Sequence, residues 1–278
     1  MKIISWNVNG IRAIHKKGEL KNFIKNYQPD IFCMQETKCK ENQIANIIEE
    51  FADFIQFYTE AEKAGYSGTS IWISKKFLEN NDIAEKDIKF ISGMSEFYND
   101  NEGRISRVDF TKKEKNKMVE YSVITAYFPN GGKSDEAWAQ KIIFYRKFLE
   151  YVKNLEAKKS EGGFEKTVIF SGDVNVCHEA IDIARPKQNE GKIGFHPSER
   201  KEITKWINAG FKDVWREKNI TQADQYSWWS YRGGARDRNV GWRIDYFFVP
   251  QIILQDVKKI EYLNNQFGSD HCPISLEI

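Results

Sequence analysis

Apolar residues recur along this chain with two different periods, and the switching between them predicts layered α and β structure. Leu20, Phe23, Ile24 and Tyr27 fall at i, i+3, i+4 and i+7, as do Ile44, Ile47, Ile48 and Phe51, so each set marks one face of a helix. A longer helix is predicted over about 135–155, with Trp138, Ile142, Tyr145, Leu149 and Val152 on its apolar face. Pro197-Ser198-Glu199 opens another and Gly210 closes it. Strand-like runs lie between the helices. Residues 68–73 form one, and 104–110 with 118–127 read as a hairpin around the charged turn 112–117. The lysines of that turn suit a solvated hairpin tip better than a DNA patch.

Five apolar segments carry reactive polar groups at one end. Ile3-Ile4 leads to Trp6-Asn7-Val8-Asn9, Ile31-Phe32-Cys33-Met34 to Gln35-Glu36, and Val168-Ile169-Phe170 to Asp173-Val174-Asn175. Asp245 heads Tyr246-Phe247-Phe248-Val249, and Gly268-Ser269-Asp270-His271-Cys272-Pro273 enters the final strand. The two halves of the chain are alike in outline, each opening on a strand that ends in Asn or Asp-x-Asn. Two sheets packed face to face, with helices outside, would gather these groups along one rim. Such a cluster suits a hard cation and phosphate far better than a core.

Taken singly, the motifs are less decisive. Asp173 and Asn175 alternate, so an extended backbone would point both to one side, one for proton transfer and one to donate an amide N–H. A turn competes, since Gly-Asp and Asn are turn formers. Glu36 follows an apolar strand and needs a partner, either a metal ion or Lys38. Asp270 and His271 face opposite ways on a strand, which gives Asp270 to a metal and His271 to another carboxylate such as Asp245. Contiguous Ser269-Asp270-His271 cannot adopt hydrolase-triad geometry, and Cys177-His178 and His271-Cys272 lack zinc-ligand spacing. Residues 226–243 interleave rings, glycines and arginines. Trp229 and Tyr231 fit a core, whereas Arg232, Arg236, Arg238 and Arg243 are expected to contact phosphate.

Composition narrows the picture further. With 19 Phe, 12 Tyr and 8 Trp in 278 residues, there is material for a sizeable core. Six prolines and no low-complexity tract argue against a long linker, so one domain over 1–278 is expected. The net charge of +2 means that any basic footprint is local. Four scattered cysteines without a C-x-x-C pair fit a reduced interior. No apolar run is long enough to span a membrane, and a first strand beginning at Lys2 leaves no room for a signal peptide. A cytoplasmic protein is expected, associated with the nucleoid if the source is prokaryotic.

Together these segments resemble the exonuclease III family of class II abasic-site endonucleases, in the DNase I-like superfamily of phosphodiesterases and phosphatases. The resemblance covers essentially the whole chain. It is carried by Trp6-Asn7-Val8-Asn9-Gly10-Ile11-Arg12, Gln35-Glu36-Thr37-Lys38, Gly65-Tyr66-Ser67-Gly68 and Thr125-Ala126-Tyr127-Phe128-Pro129-Asn130. It continues through Gly172-Asp173-Val174-Asn175-Val176, Asn239-Val240-Gly241-Trp242-Arg243-Ile244-Asp245 and Gly268-Ser269-Asp270-His271-Cys272-Pro273-Ile274.

The resemblance implies a four-layer α/β sandwich with two mixed β-sheets. It also implies Mg²⁺-dependent hydrolysis (Mn²⁺ able to substitute) of the DNA phosphodiester 5′ to an abasic sugar, with 3′-end trimming and 3′→5′ exonuclease activity. Glu36, Asp270 and Asn7 would serve the metal, with Asn9, Asp173 and Asn175 at a second metal or in support. Asp173 would activate water, Asn175 steady the phosphate oxygens, His271 bond the phosphate with Asp245 behind it, and Tyr127 sit against the phosphate. Trp228, Trp242 and Ile244 match the pocket for the extrahelical sugar. Lys133 and Arg232 match residues that brace the duplex, while Tyr66, Arg104 and Asn130 match further DNA contacts. The implied partner is double-stranded DNA with abasic sites, bound by a monomer. Asn9 stands where some members carry an aspartate, and Trp228 is bulkier than the phenylalanine often found there. The competing readings are a phosphatase of inositol phosphates or lipids from the same superfamily, and a DNA-binding module without catalysis.

Overall fold

The computed structural model describes residues 1–115, 117–158 and 162–278. Its strands are β1 (Lys2–Asn7), β2 (Ile31–Gln35), β3 (Phe54–Thr59), β4 (Thr69–Ser74), β5 (Lys89–Ser92) and β6 (Ile105–Glu114), then β7 (Lys117–Tyr127), β8 (Glu165–Asp173), β9 (Phe211–Asp213), β10 (Asp245–Pro250), β11 (Lys259–Tyr262) and β12 (Ile274–Glu277). The helices are α1 (Ile11–Lys16), α2 (Glu19–Tyr27), α3 (Ala45–Glu50), α4 (Lys75–Asn80), α5 (Asp135–Ala157), α6 (Pro186–Asn189), α7 (Pro197–Asn208) and α8 (Val214–Lys218).

The strands build two six-stranded mixed sheets, ordered β11-β12-β1-β2-β4-β3 and β5-β6-β7-β8-β10-β9. Each has a parallel pair at its centre, β1 with β2 and β7 with β8, and antiparallel neighbours elsewhere. The parallel registers end on Asn7 opposite Gln35 and on Tyr127 opposite Asp173. This is the repeated outline of the two halves made physical: parallel strands end together, so their terminal polar residues meet. One apolar cluster lies between the sheets, drawing Ile3, Ile31 and Ile71 from the first and Val123, Ile169 and Phe247 from the second. A second joins sheet two to α5 and α7, and a third joins sheet one to α1, α2 and α3. The result is the expected four-layer α/β sandwich.

Two expectations need local correction. The strands run through the lysine segment to Glu114 and resume at Lys117, so Lys112 and Lys113 lie on β6 and the turn is tighter than 112–117; Asn116 lies outside the described residues. The buried stripe of α5 is Lys141, Phe144, Tyr145, Phe148, Tyr151, Val152 and Leu155, rotated from the predicted face, on which Trp138, Ile142 and Leu149 are only half-buried. A lysine at the centre of the true stripe disguised it. No helix among the described residues is long and apolar enough to cross a membrane, and the four cysteines are buried and free.

Candidate active site

Asn7, at the end of β1, joins the two sheets. Its side-chain amide donates to Glu36 Oε1 and to Asp173 Oδ2, each at 2.9 Å, and its Oδ1 accepts the Asn9 N–H at 3.0 Å. Glu36 follows β2 with φ 52°, an unusual conformation for a glutamate, and Asn9 and Asn175 also have positive φ. Glu36 has the lysine partner foreseen for it, with Lys38 Nζ 2.8 Å from Oε2, and its carboxylate also lies in a trio whose spacing could hold a cation. Lys38 also donates to Asn9 Oδ1.

That trio is Glu36, Asp173 and His271, whose ligand-capable atoms lie within 4.8 Å of one another. Asp173 and His271 are almost wholly buried. Asp245, opposite Asp173 in the β8–β10 register, bonds His271 Nδ1 at 2.8 Å. The outer nitrogen, Nε2, stands 3.8 Å from Asp173 Oδ2, beyond hydrogen-bond reach. Burial, with the Asp245 and Glu36 charges, raises the Asp173 carboxyl to about 7 against the pull of His271. For His271, burial opposes the charge, yet Asp245 and Asp173 outweigh it and raise the imidazole to about 10. The charged ring, favoured by both carboxylates, offers an N–H at Nε2 and is then no metal ligand, which leaves Glu36 and Asp173 as the cation-binding members of the trio. The carboxylates of Glu36 and Asp173 are donors of the kind a hard divalent cation prefers.

Asn175 adopts the turn that its Gly-Asp-x-Asn context favours. Its φ of 56° makes a turn in which the Asn175 N–H donates to Asp173 Oδ1 at 2.9 Å and Nδ2 to Phe128 O at 2.9 Å. Turn and chemistry coexist here. Tyr127 is held by Arg104, whose guanidinium lies 4.8 Å from its ring centroid, and burial keeps its hydroxyl protonated well past the usual range. Arg104 itself is buried and bonds Glu102, the Tyr127 carbonyl and the Tyr66 hydroxyl. Lys133 is exposed, 5.0 Å from the Tyr66 ring centroid, and exposed Asn130 donates to Asn175 Oδ1 at 3.2 Å.

Asp270 lies outside the trio. It accepts from Asn9 Nδ2 at 2.8 Å and from Trp228 Nε1 at 3.1 Å. Asparagine at position 9 thus donates to Asp270, where an aspartate would repel it. Trp228 is half-buried and packs edge-on to half-buried Trp242 at 5.7 Å, over a small apolar cluster with Ile183, Phe195 and Ile244.

The arginine expectation fails in part. Arg243 is fully buried and grips Asp182 and Asp213 in four hydrogen bonds. Arg236 is committed to the carbonyls of Asn264, Gln266 and Ser269 and lies over the rings of Trp229 and Phe267. Only Arg232 and Arg238 of the four are exposed. Trp229 is core as expected, but Tyr231 is 70% exposed. Ser227, which carries no sequence signal of function, accepts the N–H groups of Ile244 and Asp245 at Oγ, and Ser269 of the Ser-Asp-His motif donates from Oγ to Asn7 O. Trp6 donates from its indole to His271 O.

The model of the endonuclease/exonuclease/phosphatase family matches residues 4–271. The chain belongs to that family. Within the endonuclease/exonuclease/phosphatase proteins it is similar to an exodeoxyribonuclease of Bacillus subtilis (strain 168), 36% identical over 100% of this chain and 99% of the relative. It is also similar to the DNA repair nuclease APEX1 of Danio rerio, 34% identical over 99% of this chain and 81% of the relative. Among solved structures, the AP endonuclease LMAP from Leishmania major superposes with a TM-score of 0.85 at 26% identity, covering 99% of this chain and 86% of that one.

Proposed function

We propose that this chain hydrolyses DNA phosphodiesters with Mg²⁺ and incises the strand 5′ to an abasic sugar, with 3′-end trimming and 3′→5′ exonuclease action at the same site. The observation that carries the reading is the direct contact of the apolar Trp228 group with Asp270 and His271 at the strand ends. Trp228 Nε1 donates to Asp270, and the Trp228 backbone bridges to His271. In this reading the apolar group of Trp228, Trp242 and Ile244 receives the abasic sugar beside the reacting phosphate, and no base pair is lost when that sugar leaves the helix. The exodeoxyribonuclease and repair-nuclease relatives support the same substrate class.

In this reading Glu36 leads the metal-holding group, with Asn7 locking it against Asp173 and with Asp270 and Asn9 alongside. The cation would offset charge on the phosphate oxygens. Asp173 takes the proton of the attacking water, and His271 donates from Nε2 to the phosphate while Asp245 holds its other nitrogen. The Asn175 amide and the Tyr127 hydroxyl steady phosphate oxygens. Arg104 positions Tyr66 and Tyr127, leaving Lys133, Asn130 and Arg232 as the outer DNA contacts. We read 1–278 as one domain, since both sheets contribute to the same cluster, and the protein as a cytoplasmic monomer. A panel of abasic duplex, 3′-phosphate duplex and soluble inositol phosphates tests the substrate class. Turnover of the DNA substrates alone is expected, and preferential turnover of inositol phosphates would overturn the assignment.

A further inference from the structure

Lys141 and Glu199 form an ion pair in which neither side chain has any solvent exposure. Lys141 lies on α5 and Glu199 on α7, two helices already packed through Phe144, Tyr145, Ile203 and Trp206. Withdrawing two charges from water is costly, and an apolar pair would join the helices as well, so the contact between helices does not explain it. The other bonds of the pair do. Lys141 Nζ donates to Asn130 O at 3.1 Å and to Asn175 O at 2.9 Å, which with Glu199 uses all three ammonium hydrogens. Glu199 accepts the N–H of Gly194 at 2.8 Å and of His196 at 3.0 Å. One turn beyond Lys141, Tyr145 donates to Val174 O.

Three loops therefore end on one ion pair. Two of them, around Asn130 and Asn175, line the phosphate side of the site. The third packs under the pocket: a Cβ at Gly194 would come within 2.3 Å of the Trp242 ring. We propose that the Lys141–Glu199 pair is a positioning device that sets the spacing between the phosphate-holding loops and the wall of the sugar pocket, and so determines selectivity for abasic over intact DNA. This rests on the abasic-endonuclease reading above.

The test compares wild type with Lys141→Met/Glu199→Gln, which removes both charges together, and with Lys141→Arg, which keeps charge and donors. Hydrogen exchange should show lost amide protection in 130–133, 174–176 and 194–196 of the double variant, with β7 and β8 unchanged. Preference for an abasic-analogue duplex over a matched 3′ end should fall about tenfold or more, as small misplacements do. The loss should appear chiefly in KM, with kcat within about threefold, and Lys141→Arg should recover part of it. If the double variant does not fold, Lys141→Arg is judged by the same exchange pattern at smaller amplitude. Unchanged protection in the three loops, or a kcat loss that follows the folded fraction with preference intact, would overturn the proposal. A wild type without abasic incision would refute the functional reading instead, and the exchange pattern would still decide whether the pair holds the loops.

Discussion

Asp173 accepts from Asn7 of one sheet at Oδ2 and from the Asn175 N–H of its own at Oδ1. Asp173→Asn keeps the side-chain volume, removes the base and retains an acceptor for one of these two donors. Turnover should fall roughly 10²–10⁴-fold while DNA affinity holds or rises, because a negative charge beside phosphate has gone. Single-turnover cleavage and a separate binding titration check both halves. His271 carries a pH signature. Its folded value of about 10 lies above the ordinary imidazole value of about 6.5, so protonation stabilises the fold. That contribution is complete below about pH 6.5 and is lost as pH rises through about 10. In chelator, the melting temperature should decline across this window, and His271→Gln should flatten the decline; an equal slope in the variant would show that the imidazole is not charged. The acids and the imidazole were legible because each ends an apolar strand, where a charge has no structural reason to be. Arg243 was not. In sequence it is one of four arginines near glycines, and its partners Asp182 and Asp213 lie 61 and 30 residues away.

At the scale of elements, the central parallel pair β7–β8 delivers Tyr127 and Asp173 side by side, and it depends on Gly172. A Cβ there would meet Ala126 O at 1.9 Å, with φ at 140°, so no side chain fits without parting the strands. Gly172→Ala should destabilise by about 3 kcal/mol or more, in the range of severe packing and strain mutants, read as a lower urea midpoint at unchanged slope. A midpoint equal to wild type would show that the strands can separate freely at this register. The edge strands β3, β5, β9 and β11 were not foreseen, whereas the amphipathic α2 and the other eight of the twelve strands followed from periodicity. The rotation of α5 did not, since its face is centred on Lys141, a residue that periodicity counts as polar and that only a partner on α7 makes buriable.

The whole molecule makes one claim, that two sheets of similar design pack face to face and bring their strand ends together to hold phosphate and an abasic sugar. The outline of this was visible in the repeated strand-plus-Asn and strand-plus-Asp-x-Asn starts of the two halves. What the chain alone did not reveal was how Asn7 stitches them, because an amide that bonds two carboxylates on separate sheets leaves no local pattern. The most direct test is cleavage of two otherwise identical duplexes, one carrying a single abasic analogue, across a Mg²⁺ titration from chelator to excess. A single Mg²⁺-dependent nick on the 5′ side of the analogue, with the matched duplex uncut internally, is the predicted result. Equal internal cutting of both duplexes, or an abasic nick that persists in chelator, would contradict the account.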